Sequence, residues 1–185
     1  DLRVPVRPAS PMRHPSSQMT APIVVTALLG RADQAALDAL RREHYPPDRN
    51  ALPAHLTLFH HLPPSVEDEL KHRLSGATRG VRAPAAKAAG LMSLGRGVAG
   101  RIDSPGLAAI RHDLADAFAG LLMPQDAGGW RPHVTIQNKV APSMAKLLMG
   151  ALGKEFRARE VEIAGLAAWW YRGGPWEPLS RHMFA

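Results

Sequence analysis

Cysteine is absent from the 185-residue chain, which removes disulfide frameworks, thiolate nucleophiles and thiolate-held zinc or iron-sulfur centres. A metal ion would have to rest on His, Asp or Glu, and no spaced acidic or histidine cluster suggests one, so neither metal nor cofactor is expected. No run approaches the roughly 18–20 consecutive apolar residues of a membrane span. The first residues also lack the apolar segment of a secretory signal, and a cytoplasmic protein without a membrane partner is expected. Aromatic residues make up only 5% of the chain, yet half of the ten fall near its end, at Trp169, Trp170, Tyr171, Trp176 and Phe184. Acidic residues are in deficit, 16 Asp+Glu against 23 Lys+Arg, for a formal charge of +7. That surplus favours polyanionic partners by steering and counterion release, although many proteins carry such a bias with no nucleic-acid role.

What remains is ample for one domain: 45% of residues are hydrophobic and 21% charged. Residues 1–20 hold Pro5, Pro8, Pro11 and Pro15 among Ser and Arg without an apolar period, which reads as a flexible arm. Met19-Thr20-Ala21-Pro22 then resembles a natural start. The fold is expected to occupy residues 21–185, with halves of roughly 21–90 and 91–185. In the first half, Ile23–Leu29 reads as a strand, Ala32–His44 as a helix stopped by Pro46-Pro47, and His55–Leu62 as a strand. Ser65 offers an N-cap to a helix through Leu70 and Leu74, and a further strand is expected within Val81–Met92.

The same order then recurs. Val98–Asp103 reads as a strand, Ser104-Pro105 caps a helix reaching Leu121, His133–Val140 reads as a strand and Ser143–Leu152 as a helix. The separations from Ile23 to His55 and from Val98 to His133, 32 and 35 residues, point to an internal duplication. Val161–Tyr171 and Trp176–Phe184, around Gly173-Gly174-Pro175, form a closing hairpin. The glycine-rich Gly95-Arg96-Gly97 stretch lacks a dinucleotide fingerprint and reads as a turn.

The duplication repeats a chemical pattern, His55-Leu56-Thr57-Leu58 and His133-Val134-Thr135-Ile136. With nine His in the sequence, a chance His-x-Thr is expected roughly 0.2 times, and two with matched apolar neighbours far less often. On a strand, His and Thr share one face while their neighbours enter the core. Two imidazoles and two hydroxyls in one cleft suit a phosphodiester. A neutral imidazole takes a proton from the attacking oxygen, a protonated one supplies the leaving oxygen, and the hydroxyls donate to the non-bridging oxygens. Polar surface residues on half-exposed strands are the plainer explanation of either tetrad alone.

On these tetrads, on Pro53 and Pro132 ahead of them, on the duplicated element order and on the aromatic hairpin, the sequence resembles the two-histidine (2H) phosphoesterase superfamily. Its nearest branch is that of bacterial 2'-5' RNA ligases and RNA 2',3'-cyclic phosphodiesterases. The resemblance implies an α+β fold, bilobal, with pseudo-twofold duplicated sheet-and-helix lobes around a central cleft. It implies opening of an RNA or nucleotide 2',3'-cyclic phosphate to a 2'-phosphate without metal, and reversible 2'-5' joining in some members. His55 and His133 then form the acid-base pair, Thr57 and Thr135 hold phosphate, and a monomer is expected. The assignment of base and acid stays open, with His133 preferred for activating water and His55 for protonating the 3' oxygen. Alternatives are a non-catalytic nucleotide or RNA-end binding module, or an enzyme acting on another cyclic phosphate or a 2'-5' oligonucleotide.

Further substrate contacts are expected from residues around the tetrads. Related enzymes often carry an arginine after the second tetrad, where this chain has Gln137-Asn138-Lys139, and Lys139 shares strand parity with His133 and Thr135. By the same parity Phe59 is a candidate base platform; His61 shares that parity too, which allows an accessory phosphate contact, although a surface or loop role is the expected one. Trp130 and Arg131 are placed at the cleft mouth. The C-terminal aromatics suit either hairpin packing or base stacking.

Overall fold

The computed structural model describes residues 21–185, so the arm expected over residues 1–20 lies outside the described residues. The first unit runs β1 (Ile23–Leu29), α1 (Arg31–His44), β2 (Leu56–Leu62) and α2 (Glu67–Thr78). After β3 (Ala86–Ser93) the order returns as β4 (Val98–Asp103), α3 (Pro105–Ala117), a one-turn α4 (Pro124–Ala127), β5 (His133–Gln137) and α5 (Pro142–Glu155). β6 (Arg159–Val161), β7 (Ile163–Trp170) and β8 (Glu177–Met183) complete the chain.

Helix ends follow from local chemistry. Asp33 lies in the first turn of α1 and Arg41, Arg42 and His44 in its last, matching the helix dipole at both ends. Ser104 caps α3 by accepting from the Leu107 amide at 3.3 Å, and Pro105 takes the first helical position. The expected Ser65 cap does not form. A 3-10 turn over Pro64–Val66 precedes α2, and Glu67, Asp68 and Glu69 supply first-turn charge in its place. α3 stops at Ala117, short of Leu121, and Gly120 turns the chain with a φ of 84°.

All eight strands join one antiparallel sheet in the order β6-β3-β4-β5-β2-β1-β7-β8. Each half of the sheet has four strands, one half ending centrally in β2 and the other in β5. The halves do not divide the chain near residue 90: β3 sits beside β4, whereas β7 and β8 return to β1. The halves meet through one register pair, Leu56 with Val134, the second residues of the two tetrads. The duplicated motifs therefore lie side by side across the pseudo-twofold centre.

Leu56, Leu58, Phe59 and Val134 from the central strands are fully buried and pack in one core with Leu70 and Leu74 of α2 and Leu107 and Leu114 of α3. Each such side chain contributes about 1.5–3 kcal/mol by leaving water. That alternation leaves Thr57, His133 and Thr135 half-buried on the other side.

Both central strands are bulged at the same point. Thr57 and Phe59 face consecutive residues Thr26 and Val25 of β1, and Thr135 and Gln137 face Ala99 and Val98 of β4. The extra residue is the last of each tetrad, Leu58 or Ile136. A bulge of this kind reverses strand parity beyond it.

Candidate active site

The tetrads open on a cleft of 260 Å³ lined by His55, Thr57, His133 and Thr135, together with His60, Arg111, Gln125, Asp126, Gly129, Trp130, Arg131 and Trp176. The two histidines are held alike. His55 Nδ1 lies 2.8 Å from the Pro53 carbonyl and His133 Nδ1 2.6 Å from the Arg131 carbonyl, each two residues upstream. In the neutral ring Nδ1–H donates to that carbonyl, which leaves the Nε2 lone pair to accept a proton.

The segments carrying the histidines are fixed by neighbouring elements. On α1, Asp38 accepts the Ala54 amide at 2.7 Å, and Gln34 donates to the Ala54 carbonyl at 2.8 Å. The Ile102 amide of β4 donates to the Pro132 carbonyl at 3.0 Å. The Trp176 ring stands edge-on to His55 with centroids 4.8 Å apart, bringing the closing hairpin to the first tetrad.

Two buried arginines cross between the halves. Arg41 of α1 donates to the Thr135 carbonyl at 3.0 Å and lies over Tyr45. Arg111 of α3 donates to the Leu58 carbonyl at 3.3 Å and to the Asp126 carbonyl at 2.6 Å, and lies over Phe59. Each half thus sends one guanidinium to the tetrad strand of the other. Burial lowers the pKa of both groups, against the pull of Tyr45 and Asp38 on Arg41 and of Asp126 on Arg111. Burial likewise lowers the pKa of His55, and Arg41, His60 and His133 add to that lowering while the bond to Pro53 opposes it.

The bulges correct two expectations. Phe59 is no base platform: parity reverses at Leu58, and its ring is fully buried beneath Arg111. Its counterpart Gln137 turns inward for the same reason, and Lys139 does not share the face of His133. β5 ends at Gln137, and Lys139 is an exposed turn residue with a φ of 62°. The third cleft imidazole is His60, while His61 is an exposed residue outside the cleft lining, the surface role expected for it.

Trp130 and Arg131 do line the cleft, and the Trp130 indole donates to the Thr57 carbonyl at 3.0 Å. Sequence reasoning passes over Arg41, Arg111 and Asp126. Arg41 in the last turn of α1, Arg111 in the middle of α3 and Asp126 in α4 carry no local signal of their partners 53 to 94 residues away. Among the described residues, no group of three or more His, Asp or Glu could hold a metal ion. No helix there is long and apolar enough to cross a membrane.

A sequence model of the 2'-5' RNA ligase superfamily matches residues 30–175, spanning both tetrads. The chain belongs to that superfamily. Comparison with curated proteins finds no match. Among solved structures, TT0787 of Thermus thermophilus superposes with a TM-score of 0.62 at 17% identity, covering 88% of this chain and 97% of its own. E. coli LigT in apo form gives a TM-score of 0.53 at 17% identity, over 89% and 98% of the two chains. LigT complexed with 3'-AMP gives 0.53 at 16% identity, over 90% and 99%. This member of the superfamily therefore has the α+β, pseudo-twofold fold that its tetrads imply, with the 2H phosphoesterase architecture of LigT.

Proposed function

We propose that the protein is a metal-independent phosphodiesterase that opens an RNA or nucleotide 2',3'-cyclic phosphate to a 2'-phosphate. The observation that carries this reading is the matched fixing of two imidazoles, each by a carbonyl two residues upstream, in one cleft with two threonine hydroxyls. The crystallised complex of LigT with 3'-AMP supports a nucleotide as ligand.

In the forward reaction Thr57 and Thr135 donate to the non-bridging oxygens and hold phosphorus between the rings. His133 Nε2 takes a proton from water as its oxygen bonds to phosphorus. The bond from phosphorus to the 3' oxygen breaks, and His55, protonated at Nε2, gives that oxygen its proton. The products are a 2'-phosphomonoester and a 3'-hydroxyl. Reversal with a 5'-hydroxyl in place of water forms a 2'-5' linkage, the roles of the imidazoles exchanging.

The surroundings of His55 suit the acid. Desolvation and the charge of Arg41 make its imidazolium a stronger acid, and a bound phosphate supplies the countercharge that keeps it protonated until transfer. The pH profile of kcat/KM is expected to be a bell with one limb, set by His55, on the acid side of the ordinary imidazole value of 6.5. A profile with no limb below 6.5 would contradict the lowered imidazole.

The deciding experiment incubates the protein with 2',3'-cyclic AMP and with an RNA bearing a cyclic-phosphate end, in EDTA, and separates 2'- from 3'-phosphate products. Exclusive 2'-phosphate is expected. A 3'-phosphate, or activity abolished by the chelator, would refute the assignment, and binding without turnover would favour a nucleotide-end binding module.

A further inference from the structure

The cleft holds a third imidazole that the two-histidine reaction does not use. The bulge at Leu58 brings His60 to the same opening as His55 and Thr57. Its Nδ1 lies 3.0 Å from Asp126 Oδ1, and the Asp126 side chain is 1% exposed against 43% for His60. Both carboxylate oxygens are consumed locally, accepting the backbone amides of His60 and His61 at 2.9–3.0 Å besides the ring. Burial pushes the Asp126 carboxyl up, but the hydrogen bonds from His60 and His61 outweigh it and hold the carboxyl below its ordinary value. The dyad is therefore a fixed carboxylate orienting an imidazole whose Nε2 has no hydrogen-bond partner among the described residues.

The charge around that nitrogen suits an anion. Asp126 is the only carboxylate lining the cleft among the described residues, and its oxygens already face inward to donors, whereas Arg131 and the other two imidazoles face the same space. His60 lies three residues beyond Thr57, up to roughly 10 Å along the strand, so its outer nitrogen is offset from the hydroxyl that holds the reacting phosphate.

Building on the proposed reaction, we infer that His60, oriented by Asp126, is a specificity-determining contact for a second phosphate of the substrate. The substrate class is then an oligonucleotide end, whose neighbouring phosphodiester accepts from Nε2–H of the His60 imidazolium, the form in which Nδ1–H also donates to Asp126, in preference to a mononucleoside cyclic phosphate. A charge-assisted bond of this kind is worth roughly a tenfold preference.

The test compares wild type with His60→Ala and His60→Asn on a dinucleotide with a 2',3'-cyclic phosphate end and on 2',3'-cyclic AMP. Asparagine retains a donor where Nδ1 reaches Asp126 but lacks the outward Nε2–H. Both variants are expected to lose the dinucleotide preference in kcat/KM, by about tenfold, mainly through KM. A purely structural role predicts that His60→Asn keeps the wild-type preference, and that result would overturn the inference. Calorimetric binding of adenosine 3',5'-bisphosphate against 3'-AMP gives a readout without turnover. If wild type turns over neither substrate but prefers the bisphosphate, and His60→Asn loses that preference, the subsite stands while the proposed reaction fails. Equal binding of the two ligands by wild type refutes the subsite.

Discussion

At the scale of single residues, the site rests on buried cations that never touch solvent freely. Arg111 satisfies the Leu58 and Asp126 carbonyls, and truncation strands both acceptors and opens a cavity over the Phe59 ring. Arg111→Ala is expected to cost about 3 kcal/mol, read by chemical denaturation; a loss within experimental error of zero would show that the guanidinium is dispensable. His55 makes a second residue-scale prediction. Its folded-state pKa lies below 6.5, so as pH falls from 6.5 toward that value the unfolded chain binds a proton that the folded one refuses. This group therefore lowers stability in acid, and His55→Gln should lose less stability between pH 7.5 and 5.5 than wild type, by denaturation at each pH. Equal acid sensitivity of the two would place the lowered pKa elsewhere. Of these residues, the tetrads are legible because their chemistry repeats in sequence, whereas Arg41, Arg111 and Asp126 acquire meaning only from long-range partners.

At the scale of elements, the bulges separate what sequence parity can and cannot reveal. Alternation places Leu56 and Leu58 in the core and Thr57 opposite, and the structure agrees. One extra residue then turns Phe59 inward and brings His60 to the cleft, and no local signal in Leu58-Phe59 announces that. The second bulge depends on a glycine. A Cβ at Gly97 would fall 1.9 Å from the Gln137 carbonyl oxygen, so β4 and β5 approach more closely there than any side chain permits. Gly97→Ala must push β5 away just beyond Thr135. The variant is expected to lose about 2 kcal/mol or more of stability and to lose activity in the fraction that remains folded. Wild-type melting and turnover would mean the strand yields at no cost. The glycine-rich sequence reads as a turn, which Gly95 with a φ of 78° supports, but close packing across a sheet has no signature in it.

At the scale of the whole molecule, element order reveals the duplication while hiding how the halves are assembled. Consecutive units exchange strands: β7 and β8 complete the sheet half of β1 and β2, and β3 joins β4. Arg41 and Arg111 cross in the same manner, so the two tetrads are braced by each other's half. The net charge of +7 acts on the same scale. If RNA ends engage the cleft through several phosphates, raising salt from about 50 to 200 mM should raise KM for an RNA end several-fold more than KM for 2',3'-cyclic AMP. Parallel salt curves would confine recognition to the reacting phosphate.

Turnover of 2',3'-cyclic AMP in the single variants His55→Ala and His133→Ala and in the double variant decides whether His55 and His133 act as one acid-base pair. Each single replacement is expected to lower kcat by about 10²–10⁴-fold with folding retained, and the double to be little worse than the more severe single, as for groups that act together. Wild-type turnover in either single variant would contradict the two-histidine mechanism.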